Sequence, residues 1–299
     1  MRSAHTIDVV LGSDEHQFVG VVAVIASAVL NAARPEAIFL HVVTGPGESG
    51  ALLALLRGAF PRPSFRYEIR EFRPKPALER YIRAAAGGVC NVPHRSAAIN
   101  CSRFYLCDLF PELDKVVYLD VDVIVQADLA QLFREATLEE HELAAVAMTF
   151  WGFQRESVHF RDVDFSQPGF NSGVFVTRLA RWREEDVVPR IEYWMELWSN
   201  VREQLRDDLF YFGSQAIMNL VFHRRIQWLS RKWNLYGLGY DDNIAESDLR
   251  SAGILHWTGS RKPWTPQGLY KEYWKAQLSA LDAGGAELRG AGELPGSGP

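Results

Sequence analysis

The first seventy residues alternate short β-branched runs with longer apolar stretches, and this pattern restricts the chain to few folds. Ile7-Asp8-Val9-Val10-Leu11 is stopped by Gly12-Ser13-Asp14, and an apolar run follows from about Gln17. Ala37 to Val43 ends at Thr44-Gly45-Pro46-Gly47, Ala51 to Leu56 has helical spacing, and Arg66 to Phe72 alternates. The order is strand, helix, strand, helix, strand. Strands joined by helical crossovers run parallel and need cover on both sides, so the expected class is α/β, with a mostly parallel central sheet and helices on both faces. Ligands of such sheets sit beyond the carboxyl ends of the strands. Gly12, Ser13, Asp14 and His16 are therefore the first candidate binding residues.

Further along, Pro74 to Pro93 reads as irregular and Ser96 to Leu109 as a helix. Lys115 to Leu119 is a strand that runs into Asp120-Val121-Asp122, and Leu143 to Thr149 and Gly173 to Thr177 are two more. Phe150 to Gly169 reads as a long aromatic and polar loop, a length that usually marks function. Helices are expected at Val187 to Trp198, Gln215 to Phe222 and Tyr270 to Leu281, with a late strand at Ile254 to Trp257. After Asp282 the chain is rich in Gly, Ala and Pro, which predicts one folded domain over 1–281 and a disordered tail over 282–299.

Hydrophobic residues make up 47% and charged residues 23% of the chain, ordinary values for a globular protein. The net charge of −5, with no basic stripe, argues against nucleic acid as a partner. A small phosphorylated ligand needs only one or two cations and stays open. Cys90, Cys101 and Cys107 are odd in number and lack zinc-site spacing, which suggests a reduced compartment. Phe18 to Ala33 is apolar but interrupted by Gly20, Ser27 and Asn31 and preceded by Asp14 and Glu15, so it reads as a buried helix rather than a span or signal. The expected location is cytoplasmic, with at most peripheral membrane contact.

Val116 to Val125 carries the chemistry. Residues i and i+2 of an extended chain share a side, so the carboxylates of Asp120 and Asp122 converge at the end of an apolar strand. Two anions in apolar surroundings are costly unless a cation neutralises them. A hard divalent ion shared with a diphosphate would do so. Two other readings compete. The pair could be an exposed turn, or it could be the Asp-x-Asp of a haloacid-dehalogenase-like phosphatase, with Asp120 as nucleophile and Asp241-Asp242 as a distal magnesium pair. That class usually places the motif on its first strand, whereas here it follows a complete three-strand unit.

The ordered set of motifs resembles the family 8 glycosyltransferases, which include bacterial lipopolysaccharide galactosyltransferases and glycogenin. Asp8 to Asp14 looks like the family's first strand and nucleotide loop, Ser102-Arg103-Phe104-Tyr105 like its Arg-bearing helix, and Tyr118 to Val123 like its Asp-x-Asp segment. Phe170-Asn171-Ser172-Gly173-Val174 looks like its sugar-binding turn, and His256 to Trp264 matches His-x-x-Gly-x-x-Lys-Pro-Trp. The resemblance implies a single Rossmann-like, A-type glycosyltransferase domain and a retaining, same-face transfer of glucose or galactose from a UDP-sugar. The acceptor would be a glycan, a lipid-linked glycan or a protein.

The implied metal is manganese, with magnesium as an alternative, held by Asp120, Asp122 and His256. Lys262 and the backbone at Gly259 would meet the diphosphate. Asp14 and Arg103, with His16, Asn100 and Val121, would contact the nucleoside or phosphate. Asn171, Ser172, Gly173 and Thr149 would line the sugar site, with Gln215 and Asn171 nearest the chemistry. Two departures touch the sugar end: Ser214 stands where many members have Asp, and Thr149 where many have an acid. Ser214 is also the feature that would suit a nucleotide-sugar binding protein with little turnover.

Overall fold

The short Val- and Ile-rich runs do become strands, and the longer ones helices. The structure is a computed structural model that describes residues 6–86, 94–149, 163–205 and 214–284. In chain order the elements are Ile7–Gly12 (β1), Phe18–Leu30 (α1), Ile38–Thr44 (β2), Ser49–Ala59 (α2), Arg66–Glu71 (β3), Pro76–Ala86 (α3), His94–Asn100 (α4) and Leu106–Leu109 (α5). Lys115–Leu119 (β4), Val123–Val125 (β5), Leu129–Glu135 (α6), Leu143–Met148 (β6), Gly169–Arg178 (β7), Leu179–Glu184 (α7), Val187–Leu205 (α8) and Ser214–Val221 (α9) follow. The last are Ile226–Leu229 (β8), Leu235–Tyr236 (β9), Glu246–Ser251 (α10), Ile254–His256 (β10) and Lys271–Gly284 (α11).

The main sheet has the order β3-β2-β1-β4-β7-β6-β8. β7 is antiparallel to β4 and β6, and every other pair is parallel. Leu11 pairs with Leu119, so Gly12 and Asp120 leave the carboxyl edge side by side. Because β7 runs against its neighbours, its amino-terminal residues lie at that same edge. A second sheet, β5-β10-β9, sets His256 opposite Val123.

Strand alternation divides the core. Val9, Leu11, Val117, Leu119, Val174 and Val176 pack on one face with residues of α1, α2 and α6. Val10, Val116, Tyr118 and Phe175 pack on the other, with Phe104, Trp182, Ile191 and Met218. Each fully buried side chain of this kind contributes about 1.5–3 kcal/mol, and a one-residue slip of register would turn the whole set the wrong way.

The polar and small residues that interrupt α1 are its joints to the Asp-x-Asp segment. A Cβ at Gly20 would lie 2.3 Å from the Val121 carbonyl oxygen, so only glycine permits the approach. The Val125 N–H donates to the Ser27 hydroxyl at 3.1 Å, and Asn31 Nδ2 donates to the Val125 carbonyl at 3.0 Å. Among the described residues no helix is long and apolar enough to cross a membrane. α11 instead packs on the body of the protein through buried Trp274, and Gln277 accepts from Asn31 at 3.3 Å.

Several expectations need correction. Residues 76–86 form α3 rather than an irregular segment, because Leu78, Tyr81 and Ile82 supply an apolar face. The helix expected over Ser96 to Leu109 is broken into α4, a 3-10 turn at Cys101–Tyr105, and α5. β7 begins at Gly169, so Phe170 to Val174 is strand and not turn. β4 stops at Leu119, which puts Asp120 and Asp122 in the turn after it. The short strands β8 and β9 carried no periodic signal. Most of the Phe150 to Gly169 loop, the tail beyond Gly284, and Cys90 lie outside the described residues.

Candidate active site

The carboxyl edge of β1 and β4, the start of β7 and the loop after β10 enclose a cleft of about 730 Å³. Gly12, Ser13 and Asp14 line it from the β1 loop, and Asn100 and Arg103 from the segment before β4. Asp120, Val121 and Asp122 form its floor with Asn171, Ser172 and Gly173, and Gln215, His256, Gly259 and Lys262 complete it. Two predicted residues are not among the lining: Thr149 is exposed at the end of β6, and His16 is exposed beyond the cleft, its N–H donating to the Asp14 carboxylate at 3.0 Å. Asp241 and Asp242, the distal pair of the phosphatase reading, are exposed and lie outside the lining.

Asp120, Asp122 and His256 each offer one ligand atom, and these atoms lie within 4.8 Å of one another. The three come from the turn after β4 and the end of β10, drawn together by the Trp257 N–H donating to the Asp122 carbonyl at 2.9 Å. The Asp120 N–H donates to the Gly173 carbonyl at 2.7 Å. A Cβ on Gly173 would sit 2.2 Å from His256 Cε1 and 2.6 Å from Asp120 Oδ2, so β7 leaves the cluster clear. Two carboxylates, an imidazole and a glycine-cleared space are a donor set suited to a manganese-like or magnesium-like ion.

Protein cations balance the acids. Burial would lower the Arg103 pKa, but the Asp120 carboxylate outweighs it and the guanidinium is held more firmly protonated than usual. Arg103 donates to Asp120 Oδ1 at 2.6 Å, to the Ser172 carbonyl at 2.7 Å and to the Asn100 carbonyl at 2.8 Å, and its face lies over Tyr118. Burial alone would likewise raise the Asp122 carboxyl. The ammonium of Lys262 and the imidazole of His256 reverse this and hold it far below the usual carboxylate range. Lys262 donates to Asp122 Oδ2 and, at 2.8 Å, to the Trp257 carbonyl. Gly259 lines the cleft with φ +106°, and a Cβ there would meet the Gly239 carbonyl oxygen at 2.8 Å, so glycine is required at this position.

At the other end, Gln215 is in the first turn of α9. Its Oε1 accepts from the Ser172 N–H at 3.2 Å, and its Nε2 lies 3.5 Å from the Met148 sulfur. Asn219 clamps α9 to β7, since its Oδ1 accepts from the Phe170 N–H at 2.7 Å and its Nδ2 donates to the Phe170 carbonyl at 2.9 Å. Ser214 is buried in the cleft wall and its N–H donates to Asn100 Oδ1 at 3.2 Å.

Sequence reasoning did not single out Asn234, Asn219, Met148, Tyr236 or Tyr240. Asn234 is fully buried between Asn171 and His256. Its partners lie 63 and 22 residues away in the chain, so no local pattern reveals them. Tyr236 and Tyr240 line the cleft mouth, and the latter is 55% exposed, a visible signal only once the surface is known.

Several known proteins are similar to this chain in sequence and fold. Probable galacturonosyltransferase-like 6 of Arabidopsis thaliana is 31% identical over 274 residues, covering 86% of this chain and 74% of the relative. Probable galacturonosyltransferase-like 2 of the same plant is 32% identical over 281 residues, covering 88% and 77%. The galactosyltransferase LgtC, solved with donor and acceptor sugar analogues, superposes with a TM-score of 0.69 at 22% identity, over 95% of this chain and 100% of that one. The family profile described as Glycosyl transferase family 8 matches residues 8–268, a stretch that runs from the first strand through the Asp-x-Asp turn and His256 to Lys262. The chain therefore belongs to glycosyl transferase family 8 and has the family's A-type glycosyltransferase fold.

Proposed function

We propose that this glycosyltransferase is a retaining hexosyltransferase that uses a UDP-hexose donor and a divalent metal, manganese in the first instance and magnesium as the alternative. The observation that carries the proposal is the meeting of Asp120, Asp122, His256 and Lys262 on one wall of the cleft. A bound dication would supply Lewis-acid charge for the leaving diphosphate. The protein's own residues do the rest. Lys262 presents a donor-only cation to the diphosphate, and Gly259, with no side chain, lets the backbone of the cleft lining approach it. Asp14 and Ser13, at the carboxyl end of β1, face the nucleoside. Arg103 holds Asp120 and the Ser172 carbonyl in place.

Gln215 has one carbonyl lone pair engaged by the Ser172 N–H and can turn the other toward positive charge developing at the anomeric carbon. Retention then follows from attack on the face the diphosphate leaves, with a departing phosphate oxygen taking the acceptor's proton. The acceptor is a hydroxyl of a glycan, a lipid-linked glycan or a protein.

A second donor class has its own support. No acid occupies the Ser214 position, and the two plant relatives are named for galacturonosyl transfer. Absence of that carboxylate removes a charge that would repel a uronic acid. Release of UDP from UDP-glucose, UDP-galactose and UDP-galacturonate, each with manganese and with chelator, separates the readings. Metal-dependent release from one or more donors supports transfer. UDP-sugar binding without release from any of them supports a binding protein instead.

A further inference from the structure

Asn171, Asn234 and His256 form a buried chain that ends at the candidate metal cluster, being 5%, 0% and 2% exposed. The orientation of every group in it follows from one backbone hydrogen. The Gly173 N–H can only donate, and it donates to the Asn171 side chain at 3.0 Å, so the atom facing it is Oδ1. That oxygen also lies 2.9 Å from the Asn234 side chain, which must therefore present Nδ2. The remaining terminal atom of Asn234 is then Oδ1, an acceptor only, and it lies 2.9 Å from His256 Nδ1. Hence Nδ1 must carry a hydrogen. The nitrogen left over, Nε2, lies 3.2 Å from Asp122 Oδ1 and 3.9 Å from Asp120 Oδ2.

We propose that Asn234, oriented by Asn171 and the Gly173 N–H, is a positioning residue that fixes His256 as the Nδ1–H tautomer with Nε2 available as a metal ligand. Asn171 has a buried task in this chain, so its place at the cleft does not by itself make it a sugar ligand. Flipping the Asn234 amide would set donor against donor and acceptor against acceptor at both ends, with no water-exposed atom to relieve either clash. The proposal rests on the metal reading given above for its consequence, but not for its geometry. Outer partners that fix a ligating histidine typically affect metal affinity by about 10–100-fold.

The test has two readings on the full-length protein. Long-range nitrogen–proton NMR of the metal-free wild type, with His256 assigned by its His256→Gln variant, reports the tautomer directly. Hydrogen at Nδ1 is expected, whether or not Asp122 also holds a proton on Nε2 in the metal-free state, and a ring with hydrogen at Nε2 alone overturns the proposal. Manganese affinity is then measured by paramagnetic resonance for the wild type and for Asn234→Leu, which keeps the branched heavy-atom skeleton and removes the acceptor. A loss of about 10–100-fold with an unchanged fold is expected. An Asn234→Leu protein that binds manganese within threefold of the wild type overturns the proposal. Should the wild type itself bind no manganese, the metal reading fails, while the tautomer measurement still decides the chain of hydrogen bonds.

Discussion

Gly173 and His256 touch so closely that a Cβ on the glycine would sit 2.2 Å from the imidazole Cε1. The same Cβ would lie 2.6 Å from Asp120 Oδ2, and both neighbours are held by further hydrogen bonds. Gly173→Ala is therefore expected to displace His256 or Asp120 rather than be absorbed. Overpacking of this kind costs about 1–3 kcal/mol, within what a domain of this size tolerates. The expected result is a folded protein with a modestly lower Tm and a loss of transfer exceeding about a hundredfold, read by UDP release. Wild-type turnover in Gly173→Ala would show that the cluster is not where the chemistry occurs.

Lys262 and Asp122 form a second close pair, and in it the lysine takes an oxygen that a metal would use. Removing the cation should act in opposite directions on the two ligands. Lys262→Met is expected to weaken UDP binding by about tenfold or more, because a charge-assisted contact is worth about 1.5–3 kcal/mol. It should strengthen binding of manganese alone, because a competing cation is gone. Titration calorimetry with each ligand separately checks both signs.

Gln215 is placed to act on turnover more than on binding. Its Oε1 is oriented by the Ser172 N–H and its helix is clamped by Asn219, so the amide is pre-set rather than recruited. Gln215→Ala should lower kcat by about 10–1000-fold, the scale seen when an oriented dipole near developing charge is removed, and leave donor KM within a few-fold. An unchanged kcat would remove Gln215 from the reacting face.

Cys107 supplies a pH test independent of the cleft. Burial, and secondarily the Asp108 carboxylate, push its thiol up from 9.0 to about 11. The folded state therefore keeps a proton that the unfolded chain begins to lose near pH 9. Stability from this source is complete below pH 9 and declines as pH rises through about 11. Wild type should lose Tm more steeply than Cys107→Ala across that window, and its thiol should react slowly with a disulfide reagent at pH 8. Equal slopes would mean that the thiol is not held in its neutral form.

Much of this was legible in the residues. The order of strand and helix runs over the first seventy residues gave the parallel sheet, because strands joined by helical crossovers run parallel. The motifs named the residues that the fold gathers around Asp120 and Asp122. Local reading failed where distant partners decide. Gly20, Ser27 and Asn31 read as interruptions of an apolar helix, yet each contacts the Val121 to Val125 segment about a hundred residues later. Asn171 lay in a segment that resembles a sugar-binding turn, and Asn and Gly favour turns, but it lies within β7, between Phe170, which pairs with β6, and Val174, which pairs with β4. Asn234 had no signal at all, since its role is set by two side chains brought from other elements.

UDP binding beside Asp120, Asp122 and His256 should require the metal that these three residues would hold. Titration calorimetry of UDP binding to the wild type and to Asp122→Ala, each with manganese and with excess chelator, tests it most directly. Tight binding is expected only for the wild type with manganese, with at least about tenfold weaker binding in the other three conditions and a folded Asp122→Ala protein without turnover. Equal UDP affinity in manganese and in chelator, or wild-type metal dependence in Asp122→Ala, would contradict it.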